Sequence, residues 1–375
     1  MSFISREGTS CGVVTLLTLY HHFRSSRTLA YLVILNHTMQ RILLFALLAA
    51  AAATSLRDIL TKRSDLKTFV KLIDQFEAWQ LFEESTNVTV MAPRDGAYDS
   101  LLKMGLDLGA MPADFTVPLL RYHLFQERIE SARFPDESKP ILVQTALTHP
   151  NMTRPSPVKL FRQAGELYAE SGLQLTAKIV EPDIEYAGGM VHVLNASLVA
   201  PHNISATLWM NRLSNKFLQF MKETDLVSEF ESLHDASLFI PSDDAWQRSS
   251  PMLATMDLSE KQALLRNHAI KSCVVYREEL SHKQTLTAVG GQALDVRVDE
   301  KGGMFVGDAA LLRADILWFN GVAHMTDRVI MFEEVRASAL CDATVVQDSS
   351  TDALLSDECH SRNAIRHRSD PATSH

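Results

Sequence analysis

The sequence predicts an α+β fold built twice in tandem, and three observations carry that reading. The stretch Glu181-Pro-Asp-Ile-Glu-Tyr-Ala-Gly-Gly-Met-Val-His-Val-Leu-Asn195 is two short extended segments around a Gly-Gly turn. It returns as Arg313-Ala-Asp-Ile-Leu-Trp-Phe-Asn-Gly-Val-Ala-His-Met-Thr-Asp327. Asp183 and Asp315 lie 132 residues apart, as do His192 and His324. In both halves an apolar run, 87–93 and 236–241, ends at a proline and reads as a buried strand leaving into a loop. Each of these runs follows a stretch with helical apolar spacing.

The elements follow in order. Across 56–85, Leu60, Leu66, Phe69, Val70, Leu72, Ile73, Phe76, Trp79, Leu81 and Phe82 predict two amphipathic helices broken near 78–80. After the strand 87–93, Asp95 is placed to cap a short helix over 96–102. Pro112 opens another helix, 113–124, which carries Tyr122 and His123, and Pro118 restarts or kinks it. Strands are predicted at 141–144, 158–161 and 173–179, then the hairpin. The second copy runs through a helical stretch at 208–233, the strand at 236–241 and a helix at 258–269 with Ser259 as N-cap. Its further strands are 284–288, 294–298 and 304–306, with Gly290-Gly291 and Gly302-Gly303 as hairpin turns. Pro93 to Pro241 is 148 residues, His123 to His268 is 145, and His192 to His324 is 132. Copy one is therefore longer in its middle, where the proline-rich segment 148–157 reads as an exposed loop. The link 200–203 is short enough to restrict the orientation of the two domains.

Composition bounds the function. With 375 residues, 46% apolar and 22% charged, the chain can bury two ordinary cores. A net charge of −9 leaves no basic excess for nucleic acid. Residues 39–53 have a short charged start, twelve apolar residues and a small-residue exit, the layout of a secretory signal peptide. Twelve residues at ~1.5 Å rise cannot cross roughly 30 Å of hydrocarbon, so no transmembrane helix is expected in the mature chain. Either Met39 is the true start and 1–38 a mistaken extension, or 1–38 belongs to a longer leader. Removing 1–53 leaves 32 basic against 44 acidic residues, a net of −12. Asn87, Asn151, Asn195 and Asn203 open Asn-x-Ser/Thr triplets and are the glycosylation candidates, Asn151 the most accessible and Asn87 the most hidden. Cys341 and Cys359 fall in a polar tail, 336–375, and are the one candidate disulfide, while Cys273 reads as a small buried hydrophobe. The tail carries no hydrophobic anchor signal and is expected to be disordered.

Chemistry is sparse. His192 alternates with apolar Met190 and Leu194, and each copy carries the same two histidines, so His123, His192, His268 and His324 read as buried, neutral and bonded to backbone rather than catalytic or metal-bound. Of Asp243-Asp244 one is expected to be a helix cap. Glu185 has no partner base. Neither Gly-x-Ser-x-Gly nor His-Glu-x-x-His occurs. No enzyme activity, cofactor or metal is expected.

Three motifs occur in order, twice. Thr89-Val-Met-Ala-Pro-Arg-Asp-Gly-Ala-Tyr98 is answered by Ser237-Leu-Phe-Ile-Pro-Ser-Asp-Asp-Ala-Trp246, Tyr122-His123 by Asn267-His268, and the first hairpin by the second. Together they resemble the fasciclin (FAS1) domain, over 55–201 and 204–335, in a tandem of the fungal secreted type. The resemblance implies a wedge-like β-sandwich with packed helices in each copy. It also implies an adhesion role for the Asp-Ile dipeptides Asp183-Ile184 and Asp315-Ile316 and for Tyr122-His123. Asn267 departs from the motif and leaves its role in copy two open. The alternative for each Asp-Ile is structural, the acid serving a turn and the Ile the core. The implied partners are cell-surface or matrix proteins and glycans, with weak self-association open. The function expected is a secreted, extracellular or cell-surface adhesion protein. The alternatives are a luminal protein of the vacuole or endomembranes, and a carrier of an apolar ligand.

Overall fold

The computed structural model describes residues 54–331, apart from 104, 151, 283 and 284. The signal-like stretch, the tail with Cys341 and Cys359, and Asn151 lie outside the described residues. In the first domain, α1 (Leu56–Lys62), α2 (Lys67–Gln75) and α3 (Trp79–Glu83) precede β1 (Val88–Pro93), α4 (Asp95–Lys103) and α5 (Ala113–Tyr122). Then come β2 (Leu124–Phe125), β3 (Ile141–Gln144), β4 (Pro157–Gln163), β5 (Glu166–Glu170), β6 (Thr176–Tyr186) and β7 (Gly189–Leu194). The second domain repeats the plan. It has α6 (Ile204–Asn211), α7 (Asn215–Glu223), α8 (Val227–Glu231), β8 (Ala236–Pro241), α9 (Asp243–Thr255), α10 (Leu258–Arg266), β9 (Ala269–Ile270) and α11 (Arg277–Leu280). It ends with β10 (Thr285–Thr287), β11 (Ala293–Val298), β12 (Met304–Val306), β13 (Ala309–Trp318) and β14 (Gly321–Thr326).

Each domain holds one seven-stranded sheet, ordered β2-β1-β7-β6-β5-β4-β3 and β10-β11-β12-β13-β14-β8-β9. The strand that ends in proline pairs in parallel with the last strand of its hairpin, β1 with β7 and β8 with β14. A parallel pair at the centre is covered on both faces, which is why these strands are apolar throughout. Val88, Val90, Ala92, Val191 and Val193 face the helices, among Leu60, Phe69, Ile73 and Phe82. Met91 and Leu194 face the other way, toward Phe125, Val143, Val158 and Ile179. The first sheet bends round this inner core until its edges meet. Phe125 bridges Thr145, and the Gln126 and Ala146 amides donate to Gln144 and Leu124 carbonyls at 3.0 and 2.7 Å. A sheet folded on itself, with helices on one outer face, is the wedge-like sandwich expected.

Several local expectations change. Residues 56–83 form three helices, not two. The chain closes α2 by placing Glu77 at φ +51° while the Ala78 amide donates to the Ile73 carbonyl at 2.8 Å. Asp225 does the same after α7, at φ +54° with Leu226 donating to Met221 at 2.9 Å. A left-handed closing residue without glycine leaves little sequence signal. Asp95 does not cap the helix it begins. Its carboxylate accepts from the Thr68 amide at 2.7 Å, at the start of α2, and Asp243 accepts from the Lys216 amide at 2.8 Å, at the start of α7. Asp257, not Ser259, caps α10, in a reciprocal box with Glu260. The strand β5 was not expected, because only Leu167 and Ala169 of its five residues turn inward. Cys273 is half-buried and unpaired. Because Asp243 holds an amide that α7 cannot satisfy itself, Asp243→Ala should cost about 1 kcal/mol. A thermal melt of the second domain, a few degrees lower, is the check.

Segment 148–157 is not simply an exposed loop, since its described residues dock on the second domain. The Thr153 amide and hydroxyl both donate to the Asp235 carboxylate at 3.0 Å, and Arg154 pairs with Glu279 at 2.6 Å. Met152 and Leu142 pack on Val274, Tyr276, Leu317 and Val322. Lys159 and Glu170, both nearly buried, pair at 2.6 Å beside Arg313 of the second domain.

Candidate functional site

The hairpins are the natural place to look, and their geometry starts from a bulge. In β6–β7 the register passes from Glu181 opposite Val193 to Ile184 opposite Val191. Pro182 and Asp183 therefore face His192 alone, and Asp183 turns left-handed at φ +60°. The His192 ring supports the bulge from inside. Its Nδ1 accepts the Asp183 amide at 3.0 Å, so Nε2 carries the proton and donates to the Ile129 carbonyl at 2.8 Å. The second copy repeats every part: Asp315 at φ +57°, its amide 3.4 Å from His324 Nδ1, and His324 Nε2 donating to the Val275 carbonyl at 2.9 Å. Burial lowers the pKa of both rings. A neutral imidazole that both accepts and donates is what this position requires.

The Asp carboxylates also reach backward. Asp183 accepts from the Ser131 amide at 2.8 Å and from the Ser131 hydroxyl. Asp315 accepts from the Arg277 amide at 2.8 Å, at the first turn of α11. The two copies then part. Asp183 is exposed and Ile184 half-buried, on an edge that also exposes Glu181, Pro182 and Glu185. Arg63 pairs with Glu181 at 2.7 Å and Arg128 with Glu185 at 2.5 Å. Asp315 is 6% exposed and Ile316 fully buried. Asp315 lines a cleft of about 390 Å³ whose other wall, with Lys159, Phe161 and Glu170, belongs to the first domain.

Tyr122 and His123 are interior. Tyr122 is fully buried and its hydroxyl donates to the Pro157 carbonyl at 2.9 Å. His123 donates from Nδ1 to the Leu119 carbonyl at 2.8 Å and accepts at Nε2 from the Leu198 amide at 3.0 Å. His268 repeats this with Leu264 and Ile330, at 2.8 and 3.0 Å. Each ring ties the end of a helix to the segment after the hairpin, and burial pushes both pKa values down to about 4. Asn267 leaves this histidine geometry unchanged. Asn87, Asn195 and Asn203 are exposed. Asn203 caps α6 through its Oδ1, and Asn195 accepts from the Lys178 amide. Among the described residues no group of three or more His, Cys, Asp or Glu is placed to hold a metal, and no helix is long and apolar enough to cross a membrane. Sequence reasoning missed the contacts of Asp235 and Lys159 at the domain seam. Their one signal was the extra length of copy one.

Comparison with known proteins agrees with the repeat. The Fasciclin domain family matches residues 64–200 and 213–332. A fasciclin-like arabinogalactan protein of Phaeosphaeria nodorum is 32% identical over 297 residues, covering 78% of this chain and 94% of that protein. One from Cercospora beticola is 30% identical over 300 residues, covering 77% and 79%. Among solved structures, a FAS1 domain pair from the insect cell adhesion molecule Fasciclin I aligns with 72% of this chain and 98% of its own, at 16% identity and a TM-score of 0.37. Two matches, each taking in one seven-stranded sheet with most of its helices, together span more than half of the sequence: the chain belongs to the fasciclin domain family.

Proposed function

We propose that this is a secreted, non-catalytic protein of the cell surface that acts by adhesion, through the free hairpin edge of its first domain. The observation that carries the reading is where the polar residues of the repeated motifs go. His123, His192, His268 and His324 are held by backbone groups, Asp315 is walled in, and only the edge around Asp183 stays open. An exposed carboxylate beside a half-buried Ile suits a surface or matrix protein that offers a cation and an apolar dimple. Glycans on Asn87, Asn195 and Asn203 would extend from the same soluble body.

The test is adhesion of beads coated with the secreted protein to wall and matrix preparations, with Asp183→Ala and Asp315→Ala in parallel. Asp183→Ala should reduce bead retention severalfold, and Asp315→Ala should leave it within error of wild type. Equal retention in all three removes the Asp-Ile edge from the proposal. A tagged chain found in the vacuole rather than the medium would favour the luminal alternative. A carrier role has one observation of its own, a groove of about 400 Å³ floored by Phe220, Trp246 and Leu253 and flanked by Lys216 and Lys261. Mass spectrometry of solvent extracts of the purified protein would show a bound apolar ligand.

A further inference from the structure

We propose that His149 makes the docking of the two domains acid-sensitive: the seam holds at neutral pH and loosens when His149 is protonated. The inference starts from a ring in an unusual place. His149 belongs to the first domain, and its imidazole lies 3.8 Å, centroid to centroid, from the ring of Phe319 in the β13–β14 turn. Its Nε2 is buried without a hydrogen-bond partner. A neutral ring tolerates that position, because an unprotonated nitrogen stacked on an aromatic loses only one acceptor contact. A protonated ring does not, since Nε2–H would be a charged donor with nothing to receive it. Burial accordingly lowers the pKa of His149, and no nearby charge contributes to the shift. Released from the seam, the same ring would return to about 6.5. The docked state then binds fewer protons than the released state. Docking is complete above about pH 6.5 and weakens as pH falls below it, by at most tenfold per unit.

The contacts that would yield are close by. Four residues along, Thr153 is clasped by Asp235, and Met152 sits in the apolar patch of the second domain. Phe319 itself is tied to the linker, its amide donating to the His202 carbonyl at 2.7 Å. The titratable groups on the surrounding elements are His202 of the linker, His234 and Asp235 before β8, and Tyr276 and Glu279 at α11. Glu279 is held by Arg154 and Asp235 by Thr153. His202 is exposed on its surface, yet partial desolvation lowers its pKa as well, so its protonation acts in the same direction. Variants at His149 separate the two.

The experiment reads hydrogen exchange at the Thr153 amide, which is protected by Asp235 only while the domains are docked. The full secreted chain is compared at pH 7.5, 6.5 and 5.5, with rates corrected for the intrinsic pH dependence of exchange. Wild type should lose protection severalfold, by no more than about fivefold, between pH 6.5 and 5.5, with far-UV circular dichroism unchanged. His149→Phe, and the polar His149→Gln as a second variant, should keep protection constant across the range. Constant protection in wild type, an equal loss in both variants, or a loss that accompanies unfolding of the domains would each overturn the proposal.

Discussion

Acidification from pH 7 to pH 4 should unfold both domains, and His123 and His268 should account for much of the loss. Each ring uses both nitrogens on backbone groups, donating to a helix carbonyl and accepting from the amide of Leu198 or Ile330. Protonation turns the accepting Nε2 into a donor aimed at the amide of Leu198 or Ile330, so a bond becomes a repulsion. Neither ring can turn to water, because both are essentially buried. Their folded pKa values of about 4 stand against about 6.5 in an unfolded chain. The folded state therefore binds fewer protons, and the stability they confer is complete above about pH 6.5. It is lost as pH falls toward about 4, by roughly 3 kcal/mol per ring. His192 and His324, also lowered by burial, act in the same direction. A domain whose whole margin is about 5–15 kcal/mol does not survive that subtraction comfortably. Urea titrations at pH 7, 6 and 5 are the measurement, and an unfolding free energy that stays flat over that range would refute the account. His268→Leu sharpens the test. It leaves the Ile330 amide unpaired, costing about 1–3 kcal/mol at pH 7, yet it should flatten the acid slope of the second domain.

These histidines also show what could be read in advance. The alternation of His192 with Met190 and Leu194, and the return of the same two histidines in the second copy, predicted burial and neutrality. The strands that end in proline and the Gly-Gly hairpins were equally legible, because strand and turn signals act over a few residues. What escaped depends on partners far along the chain. Asp95 and Asp243 each cap a helix 27 residues earlier, which no local pattern shows. Glu77 and Asp225 end helices in a left-handed turn with no glycine to mark it. The extra residues of copy one were visible as an excess of length, but their docking on Asp235 was not. The candidate site divided for the same reason. Asp183-Ile184 and Asp315-Ile316 are indistinguishable as sequence, and only tertiary packing separates them: the core of the second domain encloses Ile316, and the first domain walls the cleft beside Asp315, while the first dipeptide stays open.

Gly189→Ala and Gly321→Ala should be among the most damaging single changes in the chain, for a reason independent of pH. Both glycines begin the last strand of a hairpin, where it meets its parallel neighbour. A Cβ at Gly189 would lie 2.0 Å from the Val88 carbonyl oxygen, and one at Gly321 would lie 1.9 Å from that of Ala236. Those atoms are backbone, so no rotamer change relieves the contact. The strands must separate by more than an ångström, just where β1–β7 and β8–β14 hold the centre of each sheet. Gly321 adds a second penalty through its φ of +157°, whereas Gly189 has contact alone against it. Central strands buried on both faces cannot shift without opening cavities in two cores at once. A loss above about 3 kcal/mol is expected for each, enough to lower the melting temperature of the affected domain by roughly 10 °C and to cut its secreted yield. Gly96→Ala is the matched control. Nothing lies within 4 Å of its added Cβ, and alanine favours a helix, so it should be neutral or stabilising by up to about 1 kcal/mol. Thermal melts of the three variants decide the matter. Gly189→Ala melting within about 2 °C of wild type would mean that the strands are not held at this distance. The expected order instead makes the glycine that opens each β7-type strand, rather than the acid or histidine of the motif, the residue the repeated hairpin can least do without.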